Sequence, residues 1–316
     1  MSHLIETMAY KGSTPWHGIG NPLSPNQPIE VWAEQAGMNW EIHQSPVKFI
    51  AGEQYYLGEI ETFNDKQVLY RSDTHAALSV VGKRYKVVQP KEVLEFYRDL
   101  TETSGFELET AGVLKEGKKI WALARTGQSA SLRGNDVSHG YLLLATACDG
   151  SMATTAQFTS IRVVCNNTLA IALKSGEGVV KVPHSTTFNA QDVKKALGIN
   201  ISAWDNFMYQ MKALSERRVT NKEATKFIDG VFAGPADSQA NERAKNKILS
   251  LYNGHGMGAD LLSSRKTAFG LLNAVTEFVD HQRKAKNSDY RLDSAWFGQG
   301  AGIKSTALNQ ALLLAA

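Results

Sequence analysis

Two apolar runs rich in β-branched residues lie near the middle of the chain. They extend from Tyr141 to Ala147 and from Met152 to Val164, and the pair Asp149-Gly150 lies between them. Asp-Gly between two such runs is a strong signal for a tight antiparallel turn. The pattern therefore predicts a β-hairpin at the centre of the protein.

The second run leads directly into a predicted helix. Leu169 to Leu173 form a short apolar stretch, preceded by Asn166 and Asn167 as candidate N-cap residues. Arg162 lies just before this junction, and helix N-termini attract anions through unpaired N–H groups and the helix dipole. This favours a phosphate site at Arg162, Asn166 and Asn167. The alternative is that Arg162 has a carboxylate partner and the asparagines serve only as caps.

The N-terminal part has the pattern of strands. A short amphipathic helix is predicted from Ile29 to Gly37. The aromatic and β-branched runs that follow predict a meander of antiparallel strands, broken at Ala51-Gly52 and Asn64-Asp65. These strands are Trp40 to Ile50, Gln54 to Phe63, Gln67 to Ser72 and Ala77 to Val81.

Four residues after the last of these strands combine cations with an aromatic ring. They are Lys83, Arg84, Tyr85 and Lys86. Proteins that bind single-stranded nucleic acid pair cations for the phosphates with aromatic rings that stack on bases. The tetrad therefore indicates a nucleic-acid contact, and the alternative is a solvated strand end with a partly buried tyrosine.

The region between Pro90 and Leu173 predicts a compact α+β unit. Lys91 to Ser104 has the apolar face of a helix, and a second hairpin is predicted around Glu116-Gly117. Its strands are Phe106 to Val113 and Lys118 to Arg125, and Gly127 to Ser138 is predicted to be a polar loop. Helix, two hairpins and a closing helix give a four-stranded antiparallel sheet.

Helical periodicity dominates after residue 189. Thr220 and Glu223 have the spacing of a capping box. Helices are predicted for Ala190 to Gly198, Ser202 to Arg217, Asn221 to Val231, Asn241 to Leu251, Thr267 to Arg283 and Lys304 to Leu314, with glycine-rich loops at 254–258 and 298–302.

The predicted fold is thus α+β: antiparallel β-hairpins with flanking helices, followed by a mostly helical C-terminal part. The predicted divisions are an N-terminal arm at 1–39, an α+β core at 40–174 and a helical region at 175–316.

Composition adds few constraints. The 316 residues are 43% hydrophobic and 21% charged, typical of a globular protein. No apolar run reaches the ~20 residues needed to span a bilayer, and two cysteines, Cys148 and Cys165, favour reduced thiols. We therefore expect a cytoplasmic protein without a membrane partner. The net charge is +3, and residues 159–316 carry 20 Lys and Arg against 13 Asp and Glu, which is compatible with a polyanionic partner.

The sequence shows no arrangement typical of catalysis. The candidate thiols and imidazoles share no spacing that assembles a nucleophile, a base and a carboxylate. Glu277 and His281 are four residues apart on a helix and would supply two metal ligands without a third. Pro15-Trp16-His17-Gly18 lies in a proline-rich arm of unassigned role. We predict no enzyme activity, no metal and no cofactor.

Four motifs resemble a known family. Pro15 to Gly20, Glu109 to Arg125, Ile161 to Leu173 and Asn273 to His281 are similar, in this order, to the phage- and plasmid-like proteins built on domain-of-unknown-function 932. The resemblance extends over nearly the whole chain. It implies an origin in phages, prophages or plasmids and no established activity.

The function predicted from these observations is binding or annealing of single-stranded DNA, as in recombination. The order of helix, hairpins and helix is similar to the core of phage single-strand annealing proteins, which is an analogy of topology alone. The expected partner is single-stranded nucleic acid, and a homo-oligomer is compatible with this function. The alternative is a non-catalytic protein-interaction factor of a mobile element, such as a host-defence antagonist or a maintenance factor.

The predicted nucleic-acid site consists of Lys83, Arg84, Tyr85, Lys86, Arg125, Arg162, Asn166 and Asn167. Trp121 is predicted as a second ring that would stack on a base.

Overall fold

The structure is a computed structural model and describes residues 7–12, 20–52, 58–162, 164, 167–171, 179–197, 201–232 and 239–316. The predicted arm motif at residues 15–18, Asn166 and Cys165 lie outside the described residues. The chain divides into two compact units. The first unit consists of Met1–Ala124, Leu143–Ala156 and Val179–Ala196, and the second of Arg125–Leu142, Gln157–Gly178 and Leu197–Ala316. The predicted division at residues 39 and 174 stays a prediction.

The fold is α+β with antiparallel sheets and a helical C-terminal region, as predicted. The strands are β1 (Thr7–Lys11), β2 (Asn21–Leu23), β3 (Ile42–Ala51), β4 (Glu59–Arg71), β5 (Ala77–Gly82), β6 (Glu107–Leu114), β7 (Lys119–Leu132), β8 (Asp136–Ala147), β9 (Thr154–Arg162), β10 (Asn167–Ala170) and β11 (Val179–Val182). The helices are α1 (Ile29–Gln35), α2 (Pro90–Thr103), α3 (Ala190–Leu197), α4 (Ile201–Glu216), α5 (Asn221–Val231), α6 (Gln239–Ser250), α7 (Ala268–Glu277), α8 (Ser288–Trp296) and α9 (Gln299–Ala315). π-helical turns at 251–255 and 278–282 extend α6 and α7.

The larger sheet has the strand order β10-β9-β8-β7-β6-β1-β2, with β11 paired to β9. Both predicted hairpins are confirmed, because β6 neighbours β7 and β8 neighbours β9. The predicted polar loop from Gly127 to Ser138 is wrong. β7 continues to Leu132, and β8 begins at Asp136. The turn between them contains Gly134 and Asn135 at φ 81° and 56°, the left-handed conformations that these residue types accept in tight hairpins.

The predicted helix from Leu169 to Leu173 is also wrong where the structure describes it. Asn167 to Ala170 form β10, which pairs antiparallel with β9 so that Leu169 lies opposite Ser160. Asn167 and Leu169 are buried while Ala170 is exposed, the alternation of a strand with one buried face. A short apolar run does not distinguish a strand from a helix, and here the pairing with β9 makes it a strand.

The smaller sheet confirms the predicted meander in the order β3-β4-β5. The predicted break at Asn64-Asp65 is wrong, because these residues belong to a bulge inside the long strand β4. Pro46 of β3 lies opposite Gln67, and the next residue, Val47, lies opposite Phe63. Residues 64–66 are therefore extra on β4, and the bulge occurs beside a proline that cannot donate a ladder hydrogen bond.

In the first unit, α2 supplies the largest buried side chains. Its N-terminus is closed by a capping box between Gln89 and Glu92, and Phe96 and Tyr97 are fully buried. The Tyr97 hydroxyl donates to the Ala122 carbonyl at 2.8 Å. The apolar face predicted for this helix is thus confirmed, and it packs on the buried part of β7.

In the second unit, α7 is buried along its whole length. The capping box of Thr220 and Glu223 at α5 is confirmed. Helix α9 begins at Gln299, so the predicted glycine-rich turn at 298–302 is mostly its first turn, and α8 was not predicted. In the described part of the chain, no helix is long and apolar enough to cross a membrane.

Candidate nucleic-acid interface

The basic tetrad after β5 presents three of its four side chains to solvent. Lys83, Arg84 and Lys86 are exposed, and within the described residues no acid pairs with them. Tyr85 is half-buried instead. Its ring stacks on His184 with centroids 4.4 Å apart, and its hydroxyl donates to the Ala147 carbonyl at 2.6 Å. Burial raises the pKa of Tyr85. Tyr85 therefore anchors the segment, while the cations around it face water.

A pocket of about 370 Å³ lies next to Lys83. Two lysines and one aromatic ring line it together: Lys83, Lys66 and Phe63. Phe63 is 46% exposed, although large apolar side chains are usually buried. The pocket is lined by Gln44, Ser45, Pro46, Thr62, Phe63, Asn64, Lys66, Gln67 and Lys83.

The bulge in β4 explains why these residues meet. It places Phe63 opposite Val47 and Gln67 opposite Pro46. Two residues that are four apart on β4 therefore pair with consecutive residues of β3. Lys66 pairs with Gly82 on the other side of β4, and the Lys83 amide donates to the Asp65 carbonyl at 3.3 Å. Phe63 and Lys66 were not among the predicted site residues, because Asn64-Asp65 was predicted to be a break between two strands. The sequence feature that could have indicated this site is a single aromatic residue within a polar run, Glu61-Thr62-Phe63-Asn64-Asp65-Lys66.

The outer half of the β3–β4 hairpin, residues 47–51 and 59–63, exposes apolar side chains on both faces; we call it the β-arm. Ile50 and Ile60 lie directly opposite each other and are 69% and 70% exposed. Phe49, at 48% exposure, points to the opposite face because side chains alternate along a strand. Contiguous exposed apolar surface of this kind marks interaction sites.

Of the other predicted site residues, Arg125, Arg162 and Asn167 lie in the second unit, and Arg125 is half-buried. Its Nη2 lies 2.9 Å from Nδ1 of His139. Burial lowers the pKa of His139, and the Arg125 charge lowers it further. The neutral His139 ring therefore accepts this hydrogen bond. Trp121, the second ring predicted to stack on a base, is 3% exposed and faces the protein interior.

Arg162 is 4% exposed and has a complete set of protein partners. It donates to Asp136 from Nε at 2.7 Å and from Nη2 at 2.6 Å. Nη2 also donates to the Ser264 hydroxyl at 2.8 Å and to the Gly258 carbonyl at 3.2 Å. The alternative interpretation, a strand-end arginine with a carboxylate partner, is therefore confirmed for Arg162. A phosphate would have to displace the buried Asp136 carboxylate to reach it.

The neighbouring strand β10 is held by buried polar contacts as well. The side-chain amide of Asn167 donates to the Thr276 hydroxyl at 3.0 Å and to the Asn273 carbonyl at 3.2 Å. The backbone N–H of Thr168 donates to one carboxylate oxygen of Asp280 at 2.7 Å. The Lys304 ammonium donates to the other oxygen of that carboxylate at 2.7 Å. These contacts join β10 to α7 and α9, and they explain why polar residues occupy this strand.

Glu277 and Cys148 are both buried. Glu277 is buried and accepts a hydrogen bond from the Met257 amide at 2.9 Å, and burial raises its pKa. Cys148 is a buried free thiol whose pKa burial raises to about 12. Among the described residues, no three His, Cys, Asp or Glu side chains lie close enough together to hold a metal ion.

Comparison with known proteins identifies a family and no individual relative. The family model described as "Domain of unknown function (DUF932)" matches residues 77–296, which is more than half of the chain. No curated protein matches the chain, and no solved structure matches it. Lys83 to Lys86 lie inside the matched segment, whereas Phe63 and Lys66 precede it.

Proposed function

The chain belongs to the DUF932 family, and we propose that it binds single-stranded DNA at the pocket of Phe63, Lys66 and Lys83. The observation that carries this proposal is the solvent-exposed Phe63 ring in one pocket with two lysines. Such a ring stacks on an unpaired base, and such lysines neutralise the phosphates beside it.

The charges around the pocket support a polyanionic ligand. Two cations, Lys66 and Lys83, line the pocket, and Arg84 and Lys86 are exposed in the same segment as Lys83. Among the residues that the structure describes, no carboxylate lines the pocket. The electrostatic part of DNA binding depends on such contacts and weakens as salt rises.

The exposed ring favours a single strand over a duplex. In a duplex the base faces are stacked on each other, whereas an unpaired base leaves its face open to an aromatic side chain. Annealing of complementary strands in a phage or plasmid setting is the finer part of the proposal. It requires the same site to hold a strand with its bases accessible.

Fluorescence anisotropy of a labelled single strand, measured over a range of salt concentrations, tests the proposal. The Lys66→Gln/Lys83→Gln double variant is expected to bind more weakly at low salt. Its log–log salt slope should be shallower by about 1.4, because each phosphate contact to a single strand contributes roughly 0.7. Lys48→Gln is a single-charge control from outside the pocket, since Lys48 is an exposed lysine of the β-arm that does not line it. Equal slopes for the double variant and the control would refute the phosphate contacts.

The β-arm favours a second candidate function, a protein-interaction factor of a mobile element. Ile50 and Ile60 are each about seven-tenths exposed, and desolvating them would favour association with another protein. The Ile50→Thr/Ile60→Thr variant separates the two functions. It should retain DNA affinity if the pocket acts alone. If DNA binding is absent in wild type while this variant loses a protein partner, the second function replaces the first.

A further inference from the structure

Three amide side chains line the same pocket as the lysines and the ring. They are Gln44, Asn64 and Gln67. Gln44 and Asn64 are exposed and Gln67 is half-buried. Within the described residues, no hydrogen bond engages these three side-chain amides, so each has a donor and an acceptor available to a ligand.

A phosphate alone does not need these groups. Lysines suffice for an anion, whereas an amide offers adjacent N–H and C=O groups that match the edge of a base. Asn and Gln form paired hydrogen bonds with the N6 amino group and N7 of adenine. The amides therefore indicate that the pocket contacts a base edge in addition to a phosphate.

The pocket size indicates how much of a strand it holds. Its volume of about 370 Å³ lies at the lower end of the ~300–1,000 Å³ of small-molecule sites. A pocket at this end of the range accommodates a ligand of small-molecule size. Phe63 and Gln67 both line this pocket, so a base stacked on the ring shares the pocket with a residue that carries an amide.

We infer that this pocket is a mononucleotide site: Phe63 stacks on the base, the amides select adenine, and Lys66 and Lys83 hold the phosphate. The inference deepens the proposed function and rests on it, because the same lysines bind the strand. It adds a property that the proposed function lacks, a base preference in a free mononucleotide.

Calorimetric titration of the full chain with deoxyadenosine 5′-monophosphate, thymidine 5′-monophosphate and inorganic phosphate tests this inference directly. The adenine nucleotide is expected to bind about tenfold more tightly than the thymine nucleotide, which is within the discrimination of one paired amide contact. Asn64→Ala/Gln67→Ala should bring the two affinities together, and Gln44→Ala alone should reduce their ratio. Asn39→Ala is the matched control, because Asn39 is an exposed amide of the same unit that does not line the pocket.

Three results overturn the inference. Equal affinity for the two nucleotides and phosphate would show a site that binds the anion only. Binding of labelled single strands without binding of any mononucleotide would leave the proposed function intact and remove the mononucleotide site. Failure of labelled single strands to bind at low salt would remove the proposed function and, with it, the inference that rests on it.

Discussion

Arg162 donates two hydrogen bonds to Asp136, from Nε at 2.7 Å and from Nη2 at 2.6 Å, and both side chains are almost completely buried. The Ser263 hydroxyl donates to the same carboxylate. Each charge is thus compensated inside the second unit. Because removing one member of a buried ion pair leaves an uncompensated charge in a medium of low polarity, this pair should be sensitive to a single substitution.

Asp136→Asn is therefore expected to lower the free energy of unfolding by about 3–5 kcal/mol. Urea denaturation followed by circular dichroism measures this. The double variant Asp136→Leu/Arg162→Met should be less destabilised than Asp136→Asn, because it leaves no unpaired charge. A loss below about 1 kcal/mol for Asp136→Asn would show that Arg162 is not enclosed as described.

Glu277 gives the stability a defined pH dependence. Burial raises its pKa in the folded protein above the ordinary value of 4.5, so the folded state binds a proton more tightly than the unfolded state does. This contribution is fully present below pH 4.5 and is lost as pH rises through the folded-state pKa. Relative to Glu277→Gln, which stays uncharged, wild type should therefore become less stable as pH increases above 4.5.

Unfolding free energies of wild type and Glu277→Gln at several pH values test this, with Glu216→Gln as an exposed control. The control should show no such divergence from wild type. If wild type gains stability relative to Glu277→Gln as pH rises, the assigned direction of the pKa shift is wrong.

Cys148 should react slowly with thiol reagents. Burial raises its pKa to about 12, and the thiolate is the reactive form. In a Cys165→Ser background at pH 8, we expect labelling by a disulfide reagent to be at least about a hundredfold slower than after denaturation. Comparable rates before and after denaturation would contradict the burial of this thiol.

Local patterns predicted much of the fold. The capping box at Thr220 and Glu223, the hairpin at Asp149-Gly150 and the apolar face of α2 each depend on residues close in sequence. Such features can be recognised in the sequence, because the residues that form their hydrogen bonds and turns are neighbours along the chain. The antiparallel meander β3-β4-β5 was likewise predictable from its aromatic and β-branched runs.

Features that depend on distant partners were not predictable. Leu169 is in a strand because it pairs with Ser160, and a short apolar run is equally compatible with a helix until that partner is known. Arg162 had two open interpretations, and its partner Asp136 lies 26 residues away. The candidate site depends on the β4 bulge, which only the pairing register reveals.

The most direct test of the pocket is the affinity of a labelled single strand for Phe63→Leu compared with Phe49→Leu. The two phenylalanines are exposed to nearly the same extent, 46% and 48%, and both belong to the β-arm, but only Phe63 lines the pocket. Loss of one base–aromatic stack costs about 1–3 kcal/mol, so Phe63→Leu should raise the dissociation constant roughly 5- to 150-fold. Phe49→Leu should bind as wild type does. Equal affinities of the two variants, or an absence of binding by folded wild type at low salt, would contradict the proposed site.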